Sequence, residues 1–245
     1  MPVVFLDDAC NSVSNIDNNL DPGSFPILQN LLLFPPYMTR KPYSAAAVKH
    51  LFWFQEFKTV ARLLVKGRTL DDIRAINERE NLLKAKTAYR GKTIFSALAA
   101  RFEAIPPEFL DLFEKTDVLT QKLIAAIATM AADNLFFDFM SEVYREKLLI
   151  GEKTLAVSDF VQFFRNKQVQ DEKAASWKDI TLNRLGRAYR NILLQSGLIE
   201  LPIGKPNSKK TEWLVRKPVV NKQLAGLLQK TNMGAFYSAL TGEDQ

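Results

Sequence analysis

The sequence predicts a mainly α protein, in which an N-terminal helical bundle is followed by a winged helix-turn-helix with a short β-hairpin. Three observations predict it. Apolar residues recur at helical spacing through most of residues 44–150. After Gly151 the order becomes helix, short connection, helix, glycine, then two short strand-like runs around a Gly/Pro/Asn turn. Positive charge gathers in this last part of the chain. Aliphatic and aromatic residues make up 47% of the 245 residues and 24% are charged, enough apolar material for a packed core.

Residues 1–43 are rich in Asn, Asp, Pro and Ser. Pro22, Pro26, Pro35, Pro36 and Pro42 exclude a long helix there. This segment reads as an extended arm that packs through Leu31 to Tyr37. The bundle is expected over residues 44–152 and the winged-helix domain, with two closing helices, over 153–245. From Ser44 a helix is expected to Gly67, a C′ glycine, with Val48, Leu51, Phe52, Phe57, Val60, Leu63 and Leu64 on its apolar face. Thr69 caps the next helix, and Asp71 and Asp72 favour its first turn. A third helix spans about Leu83 to Ala104 and stops at Pro106-Pro107, which start a short helix through Phe113. Asp117 or Thr120 opens an apolar helix to Ala132, and another runs from Asn134 to Ile150, with Phe136, Phe137 and Phe139 expected in the core.

Ser158-Asp159 is read as the cap of the next helix. Lys173 to Ala175 is read as a connection and Ser176 as the cap of the helix that ends at Ser196-Gly197. Leu198–Leu201 and Thr211–Val215 then form the hairpin around Gly204–Lys210. Helices near 220–230 and 233–240 close the chain.

Net charge is +6, unevenly spread. Residues 1–40 hold four acids and one base, Arg40. Residues 173–222 hold eleven bases and three acids, so one fifth of the chain carries +8. A field of that size favours a polyanion, nucleic acid above all. On the helix through Gln195, Trp177, Thr181, Leu185, Ala188, Ile192 and Ser196 share a core-facing stripe. Asn183, Arg187 and Arg190 lie on the far side, bordered by Arg184 and Asn191. Arginine suits guanine and phosphate, and asparagine suits adenine. Lys178 extends this surface at one end and Lys217 beyond the hairpin. Lys205, Lys209 and Lys210 at the turn would meet phosphates without reading sequence. The same winged helix could instead serve protein contacts.

Enzymatic chemistry is not expected. His50 is the only histidine; beside Trp53 it reads as structural, and a His-based triad lacks partners. No Cys/His cluster has metal spacing, and no GxxxxGK[ST] or GxGxxG loop is present. Neither metal nor cofactor is therefore expected. The one cysteine, Cys10, cannot form an internal disulfide, which favours a reducing compartment and a cytoplasmic location. The N-terminus has no signal-peptide pattern. The most apolar window, Val118–Phe137, contains Gln121, Lys122 and Asp133, so a buried helix is expected rather than a membrane span.

Several stretches resemble the BrxA family of the BREX phage-defence systems of bacteria. They are Tyr43-Ser44-Ala45, Ala61–Gly67, Phe136–Lys147, Lys173–Thr181 and Leu194–Ile199. The resemblance spans about residues 40–240. It implies a non-enzymatic accessory protein, with a bundle similar to the NusB antitermination fold, a winged helix and binding to double-stranded DNA. An inner-membrane label is also attached to that family; the interrupted apolar window argues against it. The leading expectation is a DNA-binding BREX component that contacts phosphates through Lys and Arg in 178–217. An assembly adaptor for other BREX proteins and an RNA-binding antitermination-like factor stay open.

Overall fold

The computed structural model describes residues 42–201 and 212–243. The expected packing of Leu31 to Tyr37 therefore lies outside the described residues, as does the Gly204–Lys210 turn.

A 3₁₀ turn, Ala45–Val48, opens the described chain and is capped by the Ser44 hydroxyl, which accepts from the Ala46 N–H at 3.1 Å. The single helix expected from Ser44 to Gly67 does not form. Helix α1 begins only at Phe54 and runs to Val65. Between the two, Trp53 sits at φ 50°, a left-handed conformation that strains a bulky residue. Buried Arg101 holds the break in place, donating to the carbonyls of Leu51 and Phe52 at 2.7 and 2.6 Å. An i, i+4 apolar pattern cannot report such a remote clamp.

Helix α2 (Leu70–Glu80) carries the expected cap. The Thr69 hydroxyl accepts from the Asp72 N–H, and the Asp72 carboxylate accepts from the Thr69 N–H. Helix α3 (Ala88–Glu103) starts later than expected. Two asparagines cause the delay. The Asn81 amide pairs with both backbone groups of Ala85, and the Asn77 carbonyl accepts from the Leu83 N–H. These side chains satisfy a loop backbone that a helix would otherwise have recruited. Then follow α4 (Glu108–Lys115) and α5 (Val118–Ala132), with Asp117 as the cap of α5. Next come α6 (Asn134–Phe139), a π-helical turn (Met140–Tyr144) and α7 (Arg145–Leu149).

Beyond Gly151 a three-residue strand, β1 (Thr154–Ala156), leads into α8 (Val157–Gln170). The strand is too short to carry an alternating pattern, so nothing in the local sequence announces it. Asp159, not Ser158, serves the start of α8, accepting from the Ala156 N–H at 2.6 Å. The expected connection at Lys173–Ala175 is a helical turn, α9 (Glu172–Ala175), capped by Asp171. Ser176 ends that turn by donating to the Lys173 carbonyl. It does not cap α10 (Asp179–Ser196), whose N-cap is Lys178 without a side-chain bond. Gly197 stops α10 at φ +81°. The hairpin forms as β2 (Ile199–Glu200) and β3 (Glu212–Val215). β3 is the middle strand, antiparallel to β2 on one side and to β1 on the other, with Leu155 opposite Trp213. Helices α11 (Lys222–Lys230) and α12 (Gly234–Thr241) close the fold. The protein is mainly α with one short hairpin-containing sheet.

The buried side chains on both sides of residue 152 belong to one apolar cluster. Phe139 stacks on Phe160 with ring centroids 4.9 Å apart and meets Phe163 and Tyr189 at 5.2 and 5.5 Å. These rings fix α8 and α10 against α6. The aromatic cluster Phe136, Phe137 and Phe139 is core, in keeping with its spacing. Most of the window Val118–Phe137 is likewise interior, apart from exposed Val118 and Leu119, and among the described residues no single helix is long and apolar enough to cross a membrane.

Among the buried polar groups, those around Lys167 and Tyr189 contrast. Lys167 donates to Asp138 at 3.2 Å and to Glu142 at 2.5 Å, and the Tyr43 hydroxyl donates to Asp138. Tyr189, in contrast, buries a hydroxyl that has no hydrogen-bond partner among the described residues. A desolvated, unpaired hydroxyl costs about 1 kcal/mol or more. Tyr189→Phe is therefore expected to raise Tm by about 2–4 °C in a calorimetric melt. A lower Tm would mean that the hydroxyl has a buried partner.

Candidate nucleic-acid interface

Helix α10 is seated with one face in the core and the other in solvent. Leu185, Ala188, Tyr189, Ile192, Leu193 and Ser196 are buried, and Trp177 and Thr181 are half-buried at the start of the same stripe. This rotational setting places Asn183, Arg184 and Arg187 in solvent. Lys178 is exposed at the N-terminal end.

Arg190 departs from the simple two-faced reading. It is half-buried, and its guanidinium lies 4.6 Å from the centre of the Trp213 ring on β3. Burial, and then the charge of Arg187, lower its pKa below the ordinary arginine value. Asn191 is also half-buried and accepts from the Gln195 amide at 2.5 Å. Lys205, Lys209 and Lys210 lie outside the described residues. Lys217 is exposed and pairs with Glu243, while its neighbour Arg216 pairs with Glu200 at 2.7 Å. No ion pair to Arg184, Arg187 or Arg190 is formed among the described residues. The cations of the α10 face are thus uncompensated among the described residues, whereas Arg216 and Lys217 just after the hairpin are paired.

The front of α10 is not flat. Between α8 and α10 lies a cleft of about 370 Å³. Asn183, Arg187 and Arg190 border it on one side, and Val157, Phe160 and Val161 on the other. The helices approach closely at its base, where a Cβ at Gly186 would sit 3.5 Å from the Phe160 Cβ. At one end Arg165 of α8 holds Asp179 of α10 at 2.8 Å. The sequence alone does not assign α8 to this surface. Its trace there is Val157, Val161 and Arg165 at i, i+4, i+8, beside the buried stripe of Phe160, Phe163, Phe164 and Lys167.

A second cavity, about 250 Å³, lies between the 3₁₀ turn, α3 and α5, and is lined by His50, Arg101 and Asp133. Its polar groups are committed to structure. Arg101 holds the Leu51 and Phe52 carbonyls, and Asp133 caps α6 by accepting from Leu135 and Phe136. Desolvation raises the Asp133 pKa to about 6 against those two hydrogen bonds. Burial, then Arg101, Arg90 and Lys49, lower the pKa of His50, so its ring stays neutral near pH 7, 6.1 Å from Trp53. No group of three His, Cys, Asp or Glu side chains among the described residues could hold a metal ion.

The family model for BrxA matches residues 41–232. The chain belongs to the BrxA family. One curated BrxA relative is the BREX protein BrxA of Bacillus cereus (strain H3081.97), 32% identical over 190 residues, 78% of this chain and 92% of that protein. Another is the BREX protein BrxA of Paramagnetospirillum magneticum (strain ATCC 700264 / AMB-1), 28% identical over 146 residues, 59% of this chain and 72% of that protein. A crystal structure of an uncharacterized protein from Magnetospirillum magneticum has a similar fold, with a TM-score of 0.67 and 20% identity. The match covers 83% of this chain and 100% of that one. The BrxA match begins at residue 41 and therefore takes in the 3₁₀ turn, the bundle, the α8/α10 cleft and the hairpin strands of this chain.

Proposed function

We propose that this BrxA-family chain is a non-enzymatic, DNA-binding component of a BREX phage-defence system, acting in the cytoplasm. The observation that carries the reading is the solvent face of α10. It presents Arg184, Arg187 and Arg190 with no carboxylate partner among the described residues, on a helix fixed from behind by aromatic packing. The element order β1, α8, α9, α10, β2, β3, with β3 in the centre of the sheet, supports reading this part as a winged helix. In that architecture α10 is the recognition helix and enters the major groove. The three arginines then approach phosphates and guanine edges while Asn183 meets adenine.

Fluorescence anisotropy with a random-sequence duplex of a few helical turns, at several salt concentrations, tests the reading. The expected result is binding whose log affinity falls linearly with log salt, with a slope near −0.9 for each phosphate neutralised. No binding at low salt removes the reading. Structured RNA as competitor separates duplex preference from general affinity for polyanions.

A second reading has one observation in its favour. Val157, Val161 and Ile180 are 45%, 45% and 58% exposed beside the arginine face. Such apolar residues rimmed by charge also suit a protein partner. An adaptor within the BREX assembly would be recovered with its partner from cells carrying the whole locus, and failure to recover one at any salt ends that reading.

A further inference from the structure

We propose that the cleft between α8 and α10 is a subsite for one unpaired nucleotide, its phosphate held by Arg187 and Arg190 and its base laid on the apolar wall of α8; this rests on the DNA-binding reading above.

Three features of the cleft converge on that ligand. The first is uncompensated charge. Arg187 and Arg190 border the opening with no carboxylate on either among the described residues, close enough that Arg187 disfavours the charged form of Arg190. Two arginines lining one cleft, whose one carboxylate, Asp179, is held by Arg165, suit an oxyanion such as phosphate. The second is the wall opposite. Val157 and Val161, two-fifths or more exposed, with buried Phe160 behind them, give an apolar surface that suits the face of a base and not the backbone of a duplex. The third is Asn183 at the rim, whose amide offers both a donor and an acceptor to a base edge. The volume of about 370 Å³ fits one nucleotide and lies at the small end of ligand sites, which run from about 300 to 1,000 Å³.

Geometry also separates this subsite from ordinary groove reading. In an intact duplex only base edges face α10. A base can rest on Val161 only after leaving its stack, as in enzymes and modules that hold extrahelical or single-stranded bases. The cleft opens on the arginine face, so duplex on one side and an extruded or terminal nucleotide on the other can belong to one DNA molecule.

The test uses the full-length chain and three DNAs of the same sequence: a perfect duplex, the duplex with one unpaired nucleotide bulged from the middle, and the same bulge made abasic. The bulged duplex is expected to bind about tenfold tighter than the perfect one, the gain expected from burying about 55 Å² of apolar surface at about 25 cal/mol per Å². The abasic bulge keeps the phosphate and the flexible backbone but is expected to lose that gain. Val161→Trp fills the cleft from an exposed position and leaves both arginines, so it should abolish the preference while retaining duplex affinity. Gly186→Ala adds a methyl at ordinary contact distance from Phe160 and should reduce the preference if the tryptophan variant does not fold. Equal affinity for bulged and perfect duplex, or for bulged and abasic DNA, overturns the subsite and leaves duplex binding intact. Absence of binding to all three overturns the DNA reading itself.

Discussion

Replacing Arg184 and Arg187 together with glutamate is expected to weaken duplex binding at least about 100-fold at fixed moderate salt, with the melting transition nearly unchanged. Each arginine bound to a phosphate or base edge contributes about 1–3 kcal/mol, and two such interactions near 1.4 kcal/mol each already give that factor. The salt slope should also fall by about 2, one for each phosphate no longer neutralised. Both residues are exposed and neither has an ion pair among the described residues, so the fold loses little. Charge reversal at Arg187 and Arg190, the pair that the helical spacing alone suggests, is a less clean experiment. Arg190 lies over Trp213 at 4.6 Å, and reversing it also removes a cation–π interaction of about 0.5–2 kcal/mol. Retained affinity in the folded Arg184→Glu/Arg187→Glu variant would show that the DNA-binding face lies elsewhere.

Lys167→Ala is expected to destabilise the fold by about 3–5 kcal/mol, read as a lower midpoint in urea. Lys167 is 3% exposed and its partner Asp138 4%, so removal takes the ammonium from a buried carboxylate that also accepts from the Tyr43 hydroxyl. Total stabilities of about 5–15 kcal/mol make that loss severe. Burial works against the Lys167 ammonium, but Asp138 and Glu142 outweigh it and hold the pKa above the ordinary lysine value. A raised cationic pKa stabilises the fold fully below the unfolded value and loses its effect only as pH rises through the folded one. The contribution is therefore constant through neutral pH and disappears in the alkaline range above 10.5. Lys167→Met with Asp138→Asn removes both charges and should recover part of the loss. A single variant as stable as the parent would overturn this account.

Most of the fold is legible in local patterns, because most of its helices are terminated locally. Thr69, Asp117, Gly151 and Gly197 each mark an end through chemistry confined to one turn. Where local patterns mislead, a distant or side-chain partner has replaced the local signal. The Trp53 break depends on Arg101, about 50 positions later. The late start of α3 depends on two asparagine side chains, and β1 exists only because β3 pairs with it. The same holds for the site. The arginine face of α10 follows from helical phase alone. Its cleft does not, since that requires the closeness of α8, set by the Phe139–Phe160 stack and by Gly186. Arg190 is legible as a cation, but the indole beneath it is not.

The central place of β3 has a consequence for the order of synthesis. Thr154 pairs with Leu214, sixty positions apart, and β2 also pairs with β3. Neither outer strand has its partner until residues 212–215 have left the ribosome. Pairings this distant in sequence close slowly, because loop entropy is lost before any hydrogen bond forms. The bundle can collapse first around α5 and α6, while the sheet that steadies Trp213 beneath Arg190 waits for the last strand. A product cut short before residue 212 would carry the arginine helix but lack its backing indole. In the growing chain, competence at this face is thus acquired late, and prematurely ended translation yields bundles without it.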